Sequence, residues 1–424
     1  MQPRRARFSN SLGKPIFVAA LLLLLVISAR ADFLEEADRK LSVSLFQDHL
    51  HLQLSGLFDL EGYFIEQPAP GLIFTQNNFL VNPRLTLFLD AQIDSHVVVF
   101  VQTRFDRGFD PSDRGAQVRL DEYAIRVTPW DSVRLTVEAG KFATVVGNWV
   151  PRHYSWDNPF INAPLPYENV TGIWDSASPE DVDELLGWAH VPYEGVTDFS
   201  GYDDKYLRSP VIWGPSYASG FGVSGGFGKF DYAIELKNAS LSSRPESWDL
   251  TRVGFDNPTF SGRVGVRPNE MWNIGFSGSV GSYFRPEAAM SLPPGKGIGD
   301  YREILLGQDV SFAWHRFQLW AEVFETRFEV PNVGDADVLS YYIEAKYKIT
   351  PQLFAALRWN QQFFGTVPDE DGDLKWGNDV SRIDAVFGYR FTNYLQVKVQ
   401  YSFTHDDAEE LGEHLVAGQF TVKF

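Results

Sequence analysis

Apolar and polar side chains alternate with a period of two along most of this 424-residue chain, and that pattern sharply limits its fold. At the end of the chain His414, Val416, Gly418, Phe420, Val422 and Phe424 interleave with Glu413, Leu415, Ala417, Gln419, Thr421 and Lys423. Just upstream, Leu395, Val397, Val399, Tyr401 and Phe403 alternate with Gln396, Lys398, Gln400, Ser402 and Thr404. Helical spacing fits neither run; a strand, whose successive side chains point to opposite faces, fits both. Runs of this kind predict sixteen strands, at 49–66, 79–93, 95–106, 117–128, 132–146, 209–227, 230–241 and 258–267 in the first half. The second half supplies 270–284, 300–314, 316–330, 337–349, 352–365, 379–391, 394–406 and 412–424.

The connections alternate in length. Short turns fall at Asp94-Ser95, Thr128–Asp131, Gly228–Phe230, Arg267–Glu270, His315-Arg316, Thr350-Pro351 and Thr392-Asn393. Longer polar stretches lie between them, at 67–78, 107–116, 147–208, 242–257, 285–299, 331–336, 366–378 and 407–411. A soluble sandwich has no reason to keep one end short and the other long. A transmembrane β-barrel has one: tight periplasmic turns, longer extracellular loops and an even strand count. The predicted fold is therefore an all-β, antiparallel, sixteen-stranded transmembrane barrel with a long third loop. A secreted soluble all-β protein is the competing reading.

Physical chemistry supports the membrane placement. Lipid offers no partner to backbone N–H and C=O groups, so only helices and closed barrels cross it. Outward faces can be apolar while inward faces stay wet, which reconciles membrane crossing with a mean hydropathy of −0.19. Tyr63, Phe64, Tyr283, Phe284, Phe363, Phe364, Phe391, Tyr394 and Phe424 sit near run ends, where interfacial girdles are expected. The net charge of −18 argues against nucleic acid, and the absence of cysteine removes disulfides and thiolate metal sites.

The N-terminus has a separate logic. Arg4, Arg5, Arg7 and Lys14 precede a 12-residue apolar block from Ile16 to Ile27, which ends at Ala29-Arg30-Ala31. A helix of that length spans only about 18 Å, short of a bilayer core. Residues 1–31 are expected to be a cleaved secretory signal, leaving a mature chain of net charge −23. Residues 32–48 are expected to form a periplasmic lead-in and 49–424 the barrel.

On these residues the chain resembles the sixteen-stranded bacterial outer-membrane porins. The likeness rests on the final strand ending in Phe424, on Leu120-Asp121-Glu122-Tyr123-Ala124-Ile125 through Gly140-Lys141-Phe142, and on the long third loop. Among porins it is similar to the phosphate-selective O/P-type group. The resemblance implies a water-filled channel in the outer membrane, often a homotrimer, with the third loop folded inward as a constriction. Its partners are then small hydrophilic solutes or ions, lipid and lipopolysaccharide, and the assembly machinery that engages a C-terminal strand.

Strand parity picks out the selectivity candidates. If Val133, Leu135 and Val137 face lipid, Arg134, Thr136 and Glu138 face the lumen. The same rule turns Arg84, Arg104, Asp106, Glu122, Arg126, Lys346, Lys348, Arg358, Arg382 and Lys398 inward. Inward charges either set ion preference or simply pair and keep the lumen hydrated. The loop from Gly147 to Arg208 holds eleven acids against Arg152, Lys205 and Arg208. Asp157, Glu168 and Asp175 are its candidates nearest the constriction, with Trp149, Tyr154, Trp156 and Trp174 as constriction aromatics. An acidic loop in the lumen opposes phosphate, whereas one lying outside does not. Trp149–Trp174 is expected to fold in and 180–204 to stay near the mouth. Packing accounts for the loop's aromatics better than solute binding does.

No constellation points to catalysis, a metal or a cofactor. Gly222–Gly226 matches a nucleophile elbow, but a strand follows it instead of a helix. Asp369–Asp373 lacks the closing Glu of a calcium loop, and His49 with His51 lacks a third ligand. The expected function is passive diffusion of small hydrophilic solutes. The alternatives are a specific channel for a carbohydrate or an organic or inorganic anion, or a plugged barrel with an enzymatic or structural role.

Overall fold

The computed structural model describes residues 36, 40–107, 115–130, 134–190, 205–369, 372–407 and 412–424. The expected signal at 1–31 and most of the lead-in before residue 40 lie outside the described residues, as do Val133 and the acids Glu194, Asp198, Asp203 and Asp204. Sixteen strands form the barrel. They begin with β1 (Leu50–Ile65), β2 (Phe79–Ile93), β3 (Val97–Asp106), β4 (Gln117–Val127) and β5 (Thr136–Lys141). Next come β6 (Ser219–Phe227), β7 (Phe230–Lys237), β8 (Thr259–Val266), β9 (Trp272–Gly281), β10 (Glu303–Trp314) and β11 (Phe317–Val330). The last are β12 (Gly334–Lys348), β13 (Leu353–Phe364), β14 (Val380–Arg390), β15 (Leu395–Asp406) and β16 (Glu413–Lys423). Each pairs antiparallel with the next, and β16 closes on β1 with Gly418 opposite Gly62 and Thr421 opposite Asp59. Closure leaves no open edge in the wall.

The barrel carries one addition. A short strand, Ser42–Leu45, pairs with Leu50–Gln53 at the turn end. It continues the line of β16, whose terminal Phe424 exchanges backbone hydrogen bonds with Gly56 just above.

Faces alternate as the period requires. Phe58, Leu60, Leu357, Trp359, Ile383, Phe387 and Val399 are exposed on the outside, while Asp59, Glu61, Arg358, Asp384 and Lys398 are buried inside. The outward band is the apolar surface that a hydrocarbon layer requires. The aromatic expectation needs correction. Phe64, Phe363 and Phe391 are exposed, but Tyr63, Tyr283, Phe284 and Phe364 are buried. Neighbouring residues on a strand point opposite ways, so only one of Tyr63-Phe64 and one of Phe363-Phe364 can face out. Phe227, Phe230, Trp272, Trp314 and Tyr347 supply exposed aromatics at the turn end instead.

Two strands are less than half as long as predicted, and one loop is shorter too. The runs at 132–146 and 209–227 yield strands only over Thr136–Lys141 and Ser219–Phe227. The third loop therefore runs from 142 to 218. Residues just before β6 give their backbone bonds to loops: Ile212 N–H donates to Pro166 O and Gly214 to Tyr167 O within the third loop, and Trp213 to Leu241 O in the connection after β7. Pro210 and Pro215 cannot donate to a ladder at all. Between β11 and β12 only residues 331–333 intervene, so the loop expected at 331–336 is a tight connection.

Candidate permeation site

The third loop enters the lumen at Gly147 and is bonded to most of the wall. Glu322 on β11 is its socket: the carboxylate accepts the backbone N–H groups of Asn148 and Trp149 and the Tyr167 hydroxyl at 2.8 Å. Gly147 has φ of +77°, and a Cβ there would meet the Glu322 carboxylate and the Tyr167 hydroxyl. Only glycine suits that turn. Arg152 follows, pairing with Glu344 and the Tyr342 hydroxyl on β12 while lying over Trp320 at 4.4 Å.

Farther along, the loop meets β13, β14 and β15. Arg358 pairs with Asp384 at 2.8 Å and donates to the carbonyls of Asn162 and Ala163. Arg382 binds Glu168, Asp384 and the Ala163 carbonyl. Lys398 caps the loop's turn, donating to the carbonyls of Ser155, Asn158 and Phe160 at 2.9–3.0 Å. A buried charge is tolerable when it is paired or fully hydrogen-bonded: the two arginines have carboxylates and Lys398 has three carbonyls.

Tyr154 reaches the opposite side. Its hydroxyl donates to Gln102 at 2.5 Å and Glu122 at 3.2 Å, on β3 and β4. The loop thus crosses the lumen from β11–β15 to β3–β4. A cavity of about 100 Å³ lies between it and the β1–β4 wall. Its wall side includes Asp59, Arg84, Gln102, Arg104 and Arg119; its loop side includes Trp149, His153, Tyr154, Asn162, Tyr167 and Glu168.

The arginines of that wall are self-paired. Arg84 binds Asp59 at 3.3 Å and Glu61 at 2.6 Å. Arg104 binds Asp106 at 3.0 Å and Asp121 at 3.1 Å, and Arg119 reaches the same two carboxylates. Three guanidinium groups therefore stand among four carboxylates. Burial lowers the His153 pKa to about 4, so the ring is neutral at pH 7. Its nitrogens lie 2.5 Å from Val150 O and 2.6 Å from the Tyr217 hydroxyl.

The remaining candidates lie elsewhere. Arg126 pairs with Glu138 at 3.0 Å near the turn end, and Arg134 is exposed beside an inner turn. Lys346 lies over Phe354 at 4.4 Å, and Arg390 lies over Trp156 at 4.8 Å, beside Asp157. Trp174 stacks on Trp188 of the helix Val182–His190, with ring centroids 4.2 Å apart. Asp175 makes a buried two-bond pair with Arg244 at 2.5 and 2.7 Å. Burial raises its carboxyl to about 6 against the pull of Arg244. Neither Trp174 nor Asp175 lines the cavity.

Parity reading passed over Asp59, Glu61, Glu322, Glu344 and Asp384, although the rule that turns Arg84 inward places them inward as well. Asp121 is different: the register slips opposite Gln102/Thr103, so Asp121 and Glu122 both meet inward groups. Strict alternation cannot foresee a bulge.

No protein-family model matches the sequence, and no curated protein does so either. Solved structures do match. The chain is similar to OmpF of Salmonella typhi in complex with daunomycin, with TM-score 0.54, 12% identity, and coverage of 90% of this chain and 100% of that one. It is also similar to the outer-membrane channel DcaP of Acinetobacter baumannii, with TM-score 0.53, 10% identity, and coverage of 90% and 100%. An anion-selective porin from Comamonas acidovorans matches with TM-score 0.53, 10% identity, and coverage of 88% and 100%. At such identities the likeness concerns the fold: this chain is a closed sixteen-stranded antiparallel barrel of the outer-membrane type.

Proposed function

We propose that the chain is a bacterial outer-membrane porin, a non-catalytic channel that lets small hydrophilic solutes diffuse through the cavity between the third loop and β1–β4. The observation that carries this reading is a loop fastened across the lumen with a charged, water-compatible cavity left beside it. In this reading residues 1–31 direct export and are removed, the strand ending at Phe424 engages assembly machinery, and the barrel works as a homotrimer in lipid and lipopolysaccharide.

The cavity charges argue for weak selectivity, tending to cations. Arg84, Arg104 and Arg119 are each held by wall carboxylates, so they offer no unopposed positive charge to an anion. Phosphate selectivity of the O/P type has no support in this arrangement. The test is planar-bilayer conductance of the refolded mature protein, with reversal potential measured across a KCl gradient. A steady conductance with a small cation preference is expected. Strong anion preference overturns the charge argument, and silence from folded protein overturns the channel.

A substrate-specific channel is the second reading. The cavity sets the His153 and Tyr154 rings beside Asp59, Arg84 and Asn162, a mixture suited to a carbohydrate or an organic anion. Saturable block of the current by such a solute would favour it over free diffusion.

A further inference from the structure

The arginines around the cavity are matched by carboxylates; among the described residues, four cations towards the turn end, Lys346, Arg390, Lys398 and Lys423, make no ion pair. Lys346 is 7% exposed, and its ammonium lies over the Phe354 ring with no carboxylate in ion-pair contact among the described residues. Arg390 donates to Gln396 at 2.7 Å and to the Trp156 carbonyl at 2.6 Å, with no carboxylate in contact there either. Lys423 approaches the same indole at 5.8 Å, and Lys398 is satisfied by carbonyls alone. Arg390, Lys423 and Trp156 border an open hollow of about 710 Å³ at this end.

The other end has the opposite sign. Among the described residues, the segments joining strands at the loop end carry 17 acidic and 10 basic side chains, whereas those at the turn end, with Glu36, Lys40 and Asp48 of the lead-in, carry four acidic and five basic. Fixed charge therefore changes sign along the barrel axis, from a carboxylate-rich outer mouth to a cationic inner floor.

We propose that this axial charge step makes the channel rectify, passing more current when the outer side is positive. The inference rests on the channel reading above. With the outer side positive, cations enter through the mouth that concentrates them and anions enter through the floor that concentrates them. Both carriers accumulate where the zones meet, and conductance rises. Reversed polarity draws each carrier out through its own zone, and replacements must cross the zone that excludes them. The lumen is depleted and conductance falls. Charged linings decide which ions enter in both cases.

The test is the current–voltage curve at equal KCl on both sides of a planar bilayer. Orientation can be read with Met290→Cys: the chain has no cysteine, Met290 is 93% exposed in an outer loop, and a membrane-impermeant maleimide added to one side reports which face it meets. At 0.1 M KCl the current at +100 mV outside should exceed that at −100 mV by about twofold, and the excess should vanish near 1 M, where screening shortens to about 3 Å. Lys346→Met with Arg390→Gln should bring the ratio close to one. Lys348→Gln with Lys423→Gln, both exposed and free of backbone bonds to the loop, should lower it partway without disturbing the fold. A symmetric curve at low salt, the opposite polarity, or a ratio unchanged in both double variants overturns the proposal while leaving the channel intact. Absence of current in folded protein overturns the channel reading itself.

Discussion

Two walls of one lumen use charge in different ways. On β11–β15 six fully buried charged side chains hold the third loop: Glu322, Glu344, Arg358, Arg382, Asp384 and Lys398 each contact it directly or through one partner. On β1–β4 the arginines and carboxylates bind one another across strands and border the cavity. The residue types are the same. Whether a neighbour is a packed loop or a wet cavity decides whether a pair serves as an attachment or as a lining. A buried pair is costly to break because one partner is left uncompensated, whereas a lining pair can exchange its partner for water.

The largest effect should come from breaking an attachment. Arg358 and Asp384 have fully buried side chains, and Arg358 also holds the carbonyls of Asn162 and Ala163. Arg358→Met should cost about 3–5 kcal/mol, the usual penalty for leaving a buried charge without its partner. Because the barrel wall has its own ladders, most of that loss should appear as release of the loop. Single-channel conductance should rise and become noisy, and protease should cut within 142–218. An unchanged, quiet conductance would show that the loop is held by other contacts.

Acid should loosen the same loop from its cavity side. The folded-state pKa of His153 is lowered to about 4 from 6.5, so the unfolded or undocked form binds the extra proton more readily. Stability from this group is intact above pH 6.5 and is lost as pH falls from there through 4, by about 3 kcal/mol in all. Asp175 has the opposite sign: raised to about 6, it favours the docked state when protonated and loses that contribution as pH rises from about 4 through 6. The two contributions are of similar size and opposite sign, so current noise should change little from pH 7 to 4. His153→Gln, which does not titrate, should make the noise fall on acidification, and Asp175→Asn should make it grow.

A lining pair should respond in selectivity instead of stability. Arg104 is 14% exposed and shares Asp106 and Asp121 with Arg119, so water and the neighbouring arginine can take up what it leaves. Arg104→Met should cost about 2 kcal/mol, less than Arg358→Met because Arg119 keeps both buried carboxylates paired. It should still shift the reversal potential towards cations, because the carboxylates outnumber the arginines further. A shift towards anions would mean that solutes do not pass this wall.

Much of this architecture was legible in the sequence, and its failures have physical causes. All sixteen strands follow from period-two alternation, because a wall with lipid on one side and water on the other imposes that pattern directly. Alternation also sends Arg84, Arg104, Arg358 and Arg382 inward. It is silent on partners: Arg84 meets Asp59 and Glu61 through cross-strand register, and Arg382 meets Glu168 across 214 residues of chain. The short β5 and late β6 were hidden because a loop-bound extended segment and a ladder-bound strand look alike in sequence. The bulge that turns both Asp121 and Glu122 inward is likewise invisible to a fixed period.

The smallest effect should separate the loop's outer part from the part that crosses the lumen. Trp174 ends the short strand Val170–Trp174 and lies nearly parallel, at 8°, to Trp188 on the helix Val182–His190. Such a stacked pair adds about 1 kcal/mol beyond its buried area, enough to hold a helix against a strand but too little to hold the loop in the lumen. Trp174→Ala should therefore loosen only the outer helix, seen as faster local hydrogen exchange, with conductance and selectivity unchanged. Tyr154→Ala removes an aromatic of similar kind from the cavity, together with the bonds to Gln102 and Glu122 that tie the loop to the opposite wall. Conductance should rise there. If both variants altered conductance equally, position along the loop would not matter, and the division between an outer cap and a lumen-crossing segment would fall.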